Sequence, residues 1–447
     1  MLRRFSLYGF LKNQQYYDPF MVLAFLQMGL SFTMIGLLIG FREVAVIIME
    51  VPTGAIADLF GRRKSMILSF ASYIVSFATF GSVGLAAAEG ALEAGLVLPL
   101  LLVAMFFFAV GDAFRTGTHK AMIFTWLRIE NRTDERTKVY GYTRSWSKIG
   151  SAVSVVMACI FVFATSNFIY VFFFSIVPYI LNIVNFLGYP PEVDGGAKKE
   201  NSIGEVIGHL REALAVSCRQ ASLRRLIFES MGFEGFFKAS KEFLYPILKA
   251  AAIGLTAALL SGFTLSEEQR TIVLLGPVLV LLYVFSAVAS RKAHVLVDHH
   301  GHEDTTAKWL WGVIALVFLA LVPGMYYGVH AVMIAGFVAL YIMQNLWRPV
   351  LISRFDAHSD EAKGATVLSI ESLAKSTATM IFAPLLGFAV DTVTLMRDPT
   401  GAHAWYWPVG VGGAVIALGF FLTAKGSPAA PAAPADPGAQ AEEAPVE

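Results

Sequence analysis

Cysteine is almost absent from this chain, with two among 447 residues. Cys159 lies inside an apolar segment and Cys218 in a polar stretch, so neither a disulfide framework nor a paired-cysteine metal site is available. Charge is scarce as well: 15% of residues are Asp, Glu, Lys or Arg, where a soluble domain carries about a quarter. The net charge of +1 gives no reading on nucleic acid by itself, and no nucleic-acid partner is expected. A phosphate-cradling Gly-x-x-x-x-Gly-Lys-Ser/Thr loop is missing, which argues against ATP as an energy source. A nucleophile elbow and a His-Glu-x-x-His zinc site are missing too, so no enzyme, resident metal or cofactor is expected. What the chain has in abundance is apolar side chains, 56% of the total, which is the composition of a membrane protein.

Those side chains gather into twelve segments that approach the roughly 20 apolar residues a hydrocarbon core requires. The first six fall near 5–28, 34–57, 64–86, 97–122, 142–164 and 168–188, the second six near 223–250, 271–291, 307–325, 329–351, 364–389 and 404–424. Asn13, Gln14, Gln15 and Asp18 interrupt the first, and acidic and basic positions interrupt the seventh. Both are counted because the loop charges alternate correctly only if both span. Arg62, Arg63 and Lys64, then Arg128 to Lys138, then Lys198 to Arg225, then Arg291 and Lys292 alternate with loops nearly free of Lys and Arg. By the positive-inside rule both termini are cytoplasmic, in a multi-pass protein of the cytoplasmic (inner) membrane. The N-terminus reads as the start of the first helix and not as a cleaved leader. Four regions are expected: a six-helix bundle over 1–189, a polar linker over 190–222, a second bundle over 223–425 and a Pro/Ala-rich disordered tail over 426–447. Within the linker, the spacing of Val206, Ile207, Leu210 and Leu214 predicts a helix lying on the membrane surface.

One stretch carries more than composition. Glu50-Val-Pro-Thr-Gly-Ala-Ile-Ala-Asp-Leu-Phe-Gly-Arg-Arg-Lys64 begins at the end of one apolar segment and finishes where the next begins. Gly54 permits close backbone approach, Asp58 sets a carboxylate at a membrane boundary, and Gly61 permits a tight turn before the basic run. This run resembles the signature loop between the second and third helices of the major facilitator superfamily, matching it at Gly54, Ala57, Asp58, Gly61, Arg62 and Arg63. Leu59 departs from it, standing where the family usually carries a basic residue. A worn second copy, Asp298-His-His-Gly301, sits between the eighth and ninth segments, as an internal repeat would place it. The resemblance implies an all-α integral membrane fold of twelve transmembrane helices in two pseudo-symmetric six-helix halves. It also implies that helices 1, 4, 7 and 10 line a central cavity and that helices 3, 6, 9 and 12 face lipid. The segments agree, the first set being the most polar and the second nearly uncharged.

Ionisable groups at membrane depth are costly and are candidates for function. Asp112, Arg115 and His119 on the fourth segment recur at helical spacing on one face; Glu234, Lys238 and Lys241 do so on the seventh; Glu371 and Lys375 are neighbours one turn apart on the eleventh. Candidate substrate-binding residues are Asn13, Gln14, Tyr17, Asp18, Arg42, Arg115, Glu234, Lys238, Gln344, Asn345, Glu371 and Lys375. Arg42, Arg115 and Lys238 would hold an anionic group, and Asp18 or Glu234 an amine. Candidate proton sites are Asp18, Glu43, Asp112 and His119. The family resemblance implies gating by Gly54, Asp58, Gly61, Arg62 and Arg63, with the loop latching onto the end of the tenth helix near Arg354 and Asp356. Asp360 and Glu361 read as caps of the eleventh helix. His294, His299, His300 and His302 read as a solvated loop in preference to a metal site.

The expected function is a secondary active transporter, moving a small polar or charged solute by alternating access with proton coupling. The expected partners are the lipid bilayer, a small-molecule substrate and protons, with a monomeric chain. A multidrug/proton antiporter is the alternative within the class. A non-transporting sensor or lipid-handling protein on the same scaffold is the alternative outside it.

Overall fold

The computed structural model describes residues 1–115, 118–194, 221–259, 262–356, 364–400 and 403–424. Among them every regular element is a helix. The apolar runs have no water to satisfy their backbones in a bilayer, and the helix closes those hydrogen bonds within itself.

In the first half, α1 (Leu2–Lys12) and α2 (Met21–Gln27) divide the expected first segment into two pieces. The polar run beginning at Asn13, together with Pro19, separates them. α3 (Phe32–Phe60) starts on Ser31, whose hydroxyl accepts from the Met34 amide at 3.4 Å. It stops at Gly61, whose φ of 92° is open to glycine and strained for other residues. α4 (Arg62–Ala88) follows, then α5 (Ala94–Arg115) and α6 (Thr118–Ile129), which share the expected fourth segment. α7 (Arg136–Thr165) and α8 (Tyr170–Leu187) complete this half.

The second half opens on a broken run. α9 (Ala221–Ser230) passes through a π turn at Met231–Gly235 into α10 (Phe236–Ser240), then through a 3₁₀ turn at Lys241–Phe243 into α11 (Leu244–Leu259). Thr379 donates to the Gly235 carbonyl at 3.3 Å, meeting an acceptor that the π turn displaces. α12 (Glu267–His300) begins on a reciprocal capping box between Ser266 and Gln269. α13 (Glu303–Tyr326), α14 (His330–Asp356), α15 (Gly364–Arg397) and α16 (Trp407–Thr423) follow.

Nine helical spans among the described residues are long and apolar enough to cross a membrane. The expected segments outside that set are the first, the seventh and the last, where polar breaks or a 17-residue helix shorten the run. One expectation is corrected. His294, His299 and His300 lie on α12 and not in a loop, because the helix runs on to Gly301 (φ 73°). The expected surface helix at 205–217, the caps Asp360 and Glu361, and the tail lie outside the described residues.

Two ends can be distinguished by charge: a basic end, where the Arg62–Lys64 run sits, and the opposite end. The halves meet near the opposite end and at mid-depth. α3 lies against α15 so closely that a Cβ on Gly40 would come within 2.9 Å of the Met380 carbonyl. Gly36 meets Ala383 and Gly387 meets Phe32 in the same way, the small-residue contact by which helices pack where water provides no drive. Asp391 on α15 accepts from the amides of Phe32 (3.1 Å) and Thr33 (2.7 Å) and from the Thr33 hydroxyl (2.6 Å). A carboxylate from one half thus closes the helix N-terminus of the other, where free N–H groups favour an anion.

Candidate functional site

At mid-depth an ion pair crosses between the halves. Lys238 Nζ on α10 lies 2.7 Å from Glu43 Oε1 on α3, and Arg42 Nη2 lies 2.9 Å from the same oxygen. Glu43 is almost fully buried, so its charge is tolerated because two cations and their hydrogen bonds surround it. Arg42 also lies over the Phe108 ring. Asp18, in the break between α1 and α2, is within electrostatic reach of Lys241, Glu242 and Tyr341 across the interface.

The second half holds a compensated network. Glu371 receives Arg348 at 2.5 Å and the Ser230 hydroxyl at 2.9 Å. Glu234 receives the Gln344 amide at 3.3 Å and lies 3.7 Å from Arg348. Asn345 donates to the Tyr341 carbonyl of its own helix. Two helical-face expectations are corrected here. Glu371 takes Arg348 and not Lys375 as its partner, since a guanidinium on a facing helix meets both carboxylate oxygens. Glu234 and Lys238 do not act on one face, because the π turn adds a residue and sends Glu234 toward α14 and Lys238 toward α3.

In the first half the expected residues divide between bracing and lining. Gln14 is buried and donates to the Gly150 carbonyl, and Asn13 donates to the Ser147 carbonyl, so both tie the first segment to α7. Tyr17 is buried among Phe77 and Phe108. Asp112 pairs with Arg115 at 2.7 Å and accepts from the Tyr73 hydroxyl. His119 lies against Tyr8, their ring centroids 3.8 Å apart. Beside these groups lies a cavity of about 450 Å³, lined by α1, α5, α6 and α7. Lys12, Arg115, His119, Lys120, Arg144 and Lys148 face it, and no carboxylate appears among its described lining residues. Arg144 and Lys148 on α7 and Arg348 on α14 join the candidate residues here through their place in the fold. Lys12 was not singled out, since nothing along the first segment indicates that it faces Arg115 and Arg144 from other helices.

At the basic end the loop is held within its own half. Arg62 donates to Thr125 at 3.0 Å; Arg63 donates through its amide to Asp194 at 2.5 Å and through its side chain to the Tyr189 carbonyl at 2.8 Å. A Cβ on Gly61 would sit 3.1 Å from Asp194. Arg354 pairs with Glu229 at 2.5 Å and with Asp304 at 2.8 Å, also within its half. Among the described residues, Arg62 and Arg63 take partners inside their own half and none on the tenth helix. The surroundings of Gly54 and the side chains of Asp58 and Asp356 lie outside what the structure describes. Beyond the spans, Arg132 donates twice to Glu135 at 2.9 Å, and that hydrogen bonding holds the carboxyl below its ordinary range.

The family model described as Major Facilitator Superfamily matches residues 13–366. No curated protein matches the sequence. Among solved structures, the nucleoside transporter NupG superposes with a TM-score of 0.72 at 10% identity, covering 94% of this chain and 98% of that one. A D-xylose-proton symporter gives 0.65 at 13% identity, covering 95% and 97%. A POT family transporter in complex with a thioalcohol conjugated peptide gives 0.61 at 16% identity, covering 94% and 95%. At these identities the likeness is one of fold.

Proposed function

Since the chain belongs to the Major Facilitator Superfamily and is a multi-pass membrane transporter rather than an enzyme, we propose that it moves a small polar or charged solute by alternating access, driven by protons. The observation that carries this reading is the Lys238–Glu43 pair between the halves. Protonating Glu43 would remove the one negative charge that Arg42 and Lys238 share. The two cations would then repel, and the mid-depth tie between the halves would be released. Transport follows if that release accompanies rocking of the halves about the α3–α15 contact. The arrangement supports an inward-facing state, closed where Asp391 holds α3, with Arg62 and Arg63 engaged inside their own half at the basic end. With the positive-inside rule, the basic end is cytoplasmic and both termini lie there, in the inner membrane. The two helical halves at 1–189 and 223–425 are the moving bodies, joined by the 190–222 linker, in a chain that works as a monomer.

The test is proteoliposome flux with a pH-sensitive dye inside. Glu43→Gln fixes the protonated form, so solute exchange at equal concentrations should persist while accumulation driven by a proton gradient is lost. Proton-driven accumulation by Glu43→Gln at the parental rate would sink the coupling role.

A further inference from the structure

The cavity between α1, α5, α6 and α7 differs in its charge balance from the ion pairs that hold most other interior cations. Arg42 and Lys238 share Glu43, Lys241 has Glu242, Arg348 has Glu371, and Arg354 has Glu229. Five cations line the cavity, Lys12, Arg115, Lys120, Arg144 and Lys148, and of these Arg115 alone has an ion-pair partner among the described residues, Asp112. Lys12 and Lys120 rest instead over the rings of Tyr8 and Tyr140, at 5.9 and 5.6 Å. Two further donors go unused: Arg115 Nη1 and His119 Nε2 are buried without a hydrogen-bond partner. Lys12 and Arg115 are half-buried, so their charges are held at a cost that a bound counter-charge would offset, while Lys120, Arg144 and Lys148 stand on the exposed rim.

We propose that this cavity binds a small solute carrying two or more negative charges on an oxyanion of the phosphate-monoester type. A single negative charge would leave most of the five cations unmatched. A compact dianion accepts hydrogen bonds from the planar Arg115 fork and from flexible ammonium groups together. The volume of about 450 Å³ suits a small solute. Tyr8, Phe5 and Tyr140 give the wall a ring surface against which the body of the solute would lie. The inference rests on the transport reading for the solute's passage across the bilayer, and binding itself needs only the cavity. An anionic phospholipid headgroup offers the same chemistry, so the experiment must separate the two sources.

Purified full-length protein in detergent is titrated with glucose 6-phosphate, glycerol 3-phosphate and inorganic phosphate, with glucose as the neutral match. Short-chain phosphatidylglycerol forms a separate arm, and calorimetry and melting temperature are read throughout. The phosphate esters should bind and raise the melting temperature where glucose does not, with affinity falling as salt rises. Arg144 and Lys148 occupy exposed helix positions, so Arg144→Gln and Lys148→Gln should leave unliganded melting unchanged. Each should weaken ester binding about tenfold, the value of one charge-assisted contact. Lys249→Gln, near the opposite end, should not. Esters no better than glucose, esters unaffected by both cavity variants, or binding of the lipid alone would each overturn the proposal. Proteoliposome flux separates this outcome from the fate of the transport reading. Ester binding without flux sinks transport and spares the cavity, while flux of a neutral or cationic solute without ester binding does the reverse.

Discussion

Glu371 is buried to within 1% of its surface and depends on Arg348 and Ser230 for its charge. Removing it would leave Arg348 with Glu234 alone, at 3.7 Å. Glu371→Ala should lower stability by roughly 1–3 kcal/mol, toward the lower value because Arg348 is a third exposed. Glu371→Gln keeps an acceptor and should lose less; thermal unfolding in detergent measures both. An Ala variant as stable as the parent would mean that the pair contributes nothing to folding. At this scale the sequence marked which residues are polar at depth but not whom they touch. Spacing along one helix suggested Lys375 as the partner of Glu371, whereas the partner that counts sits on a facing helix. Lys12 escaped notice for a related reason, since its role depends on where α5, α6 and α7 place four other cations.

Among the elements, α3 and α15 bear most of the contact between the halves, and Asp391 fastens them. Asp391→Ala would leave the amides of Phe32 and Thr33 without their acceptor at the head of α3. The expected outcome is a shift toward separation at that end, read by electron–electron spin resonance between labels at Met34→Cys and Leu395→Cys in a background lacking Cys159 and Cys218. Both labelled positions are exposed. An unchanged distance distribution would show that the small-residue packing around Gly36 and Gly40 holds the end without help. Most elements were legible because 20-residue apolar runs announce themselves, and Gly61 marked the boundary of α3 and α4 by its chemistry. The eighth segment was read short, since Arg291 and Lys292 look like a membrane boundary although the helix continues to His300. Asp391 was not singled out: its partners are backbone groups 358 positions away, and no periodicity reaches that far.

For the whole molecule, the reading of orientation makes a prediction that structure alone does not carry. A fluorescent protein fused after Lys425 should fluoresce, while alkaline phosphatase at that site should be inactive; phosphatase inserted near Gly90, between α4 and α5, should be active. The opposite pattern would reverse the assignment of the basic end. The two-halved plan was legible from the alternation of loop charge and from the repeated glycine that ends α3 and α12. What lay beyond reach was how Asp391 and the packing around Gly36 and Gly40 join the halves, because contacts between halves leave no pattern within either. The π turn at Met231–Gly235 bears on both halves at once. Each residue of an α-helix turns the next side chain by about 100°, so one extra residue there decides that Glu234 serves the second half and Lys238 the first. Hydropathy would scarcely register the loss of a single residue from this turn, yet every side chain beyond it would be re-aimed and Lys238 would swing away from Glu43. The segment therefore tolerates changes of letter far better than changes of length: a deletion that leaves the protein inserted and folded would cut the mid-depth ion pair between its halves.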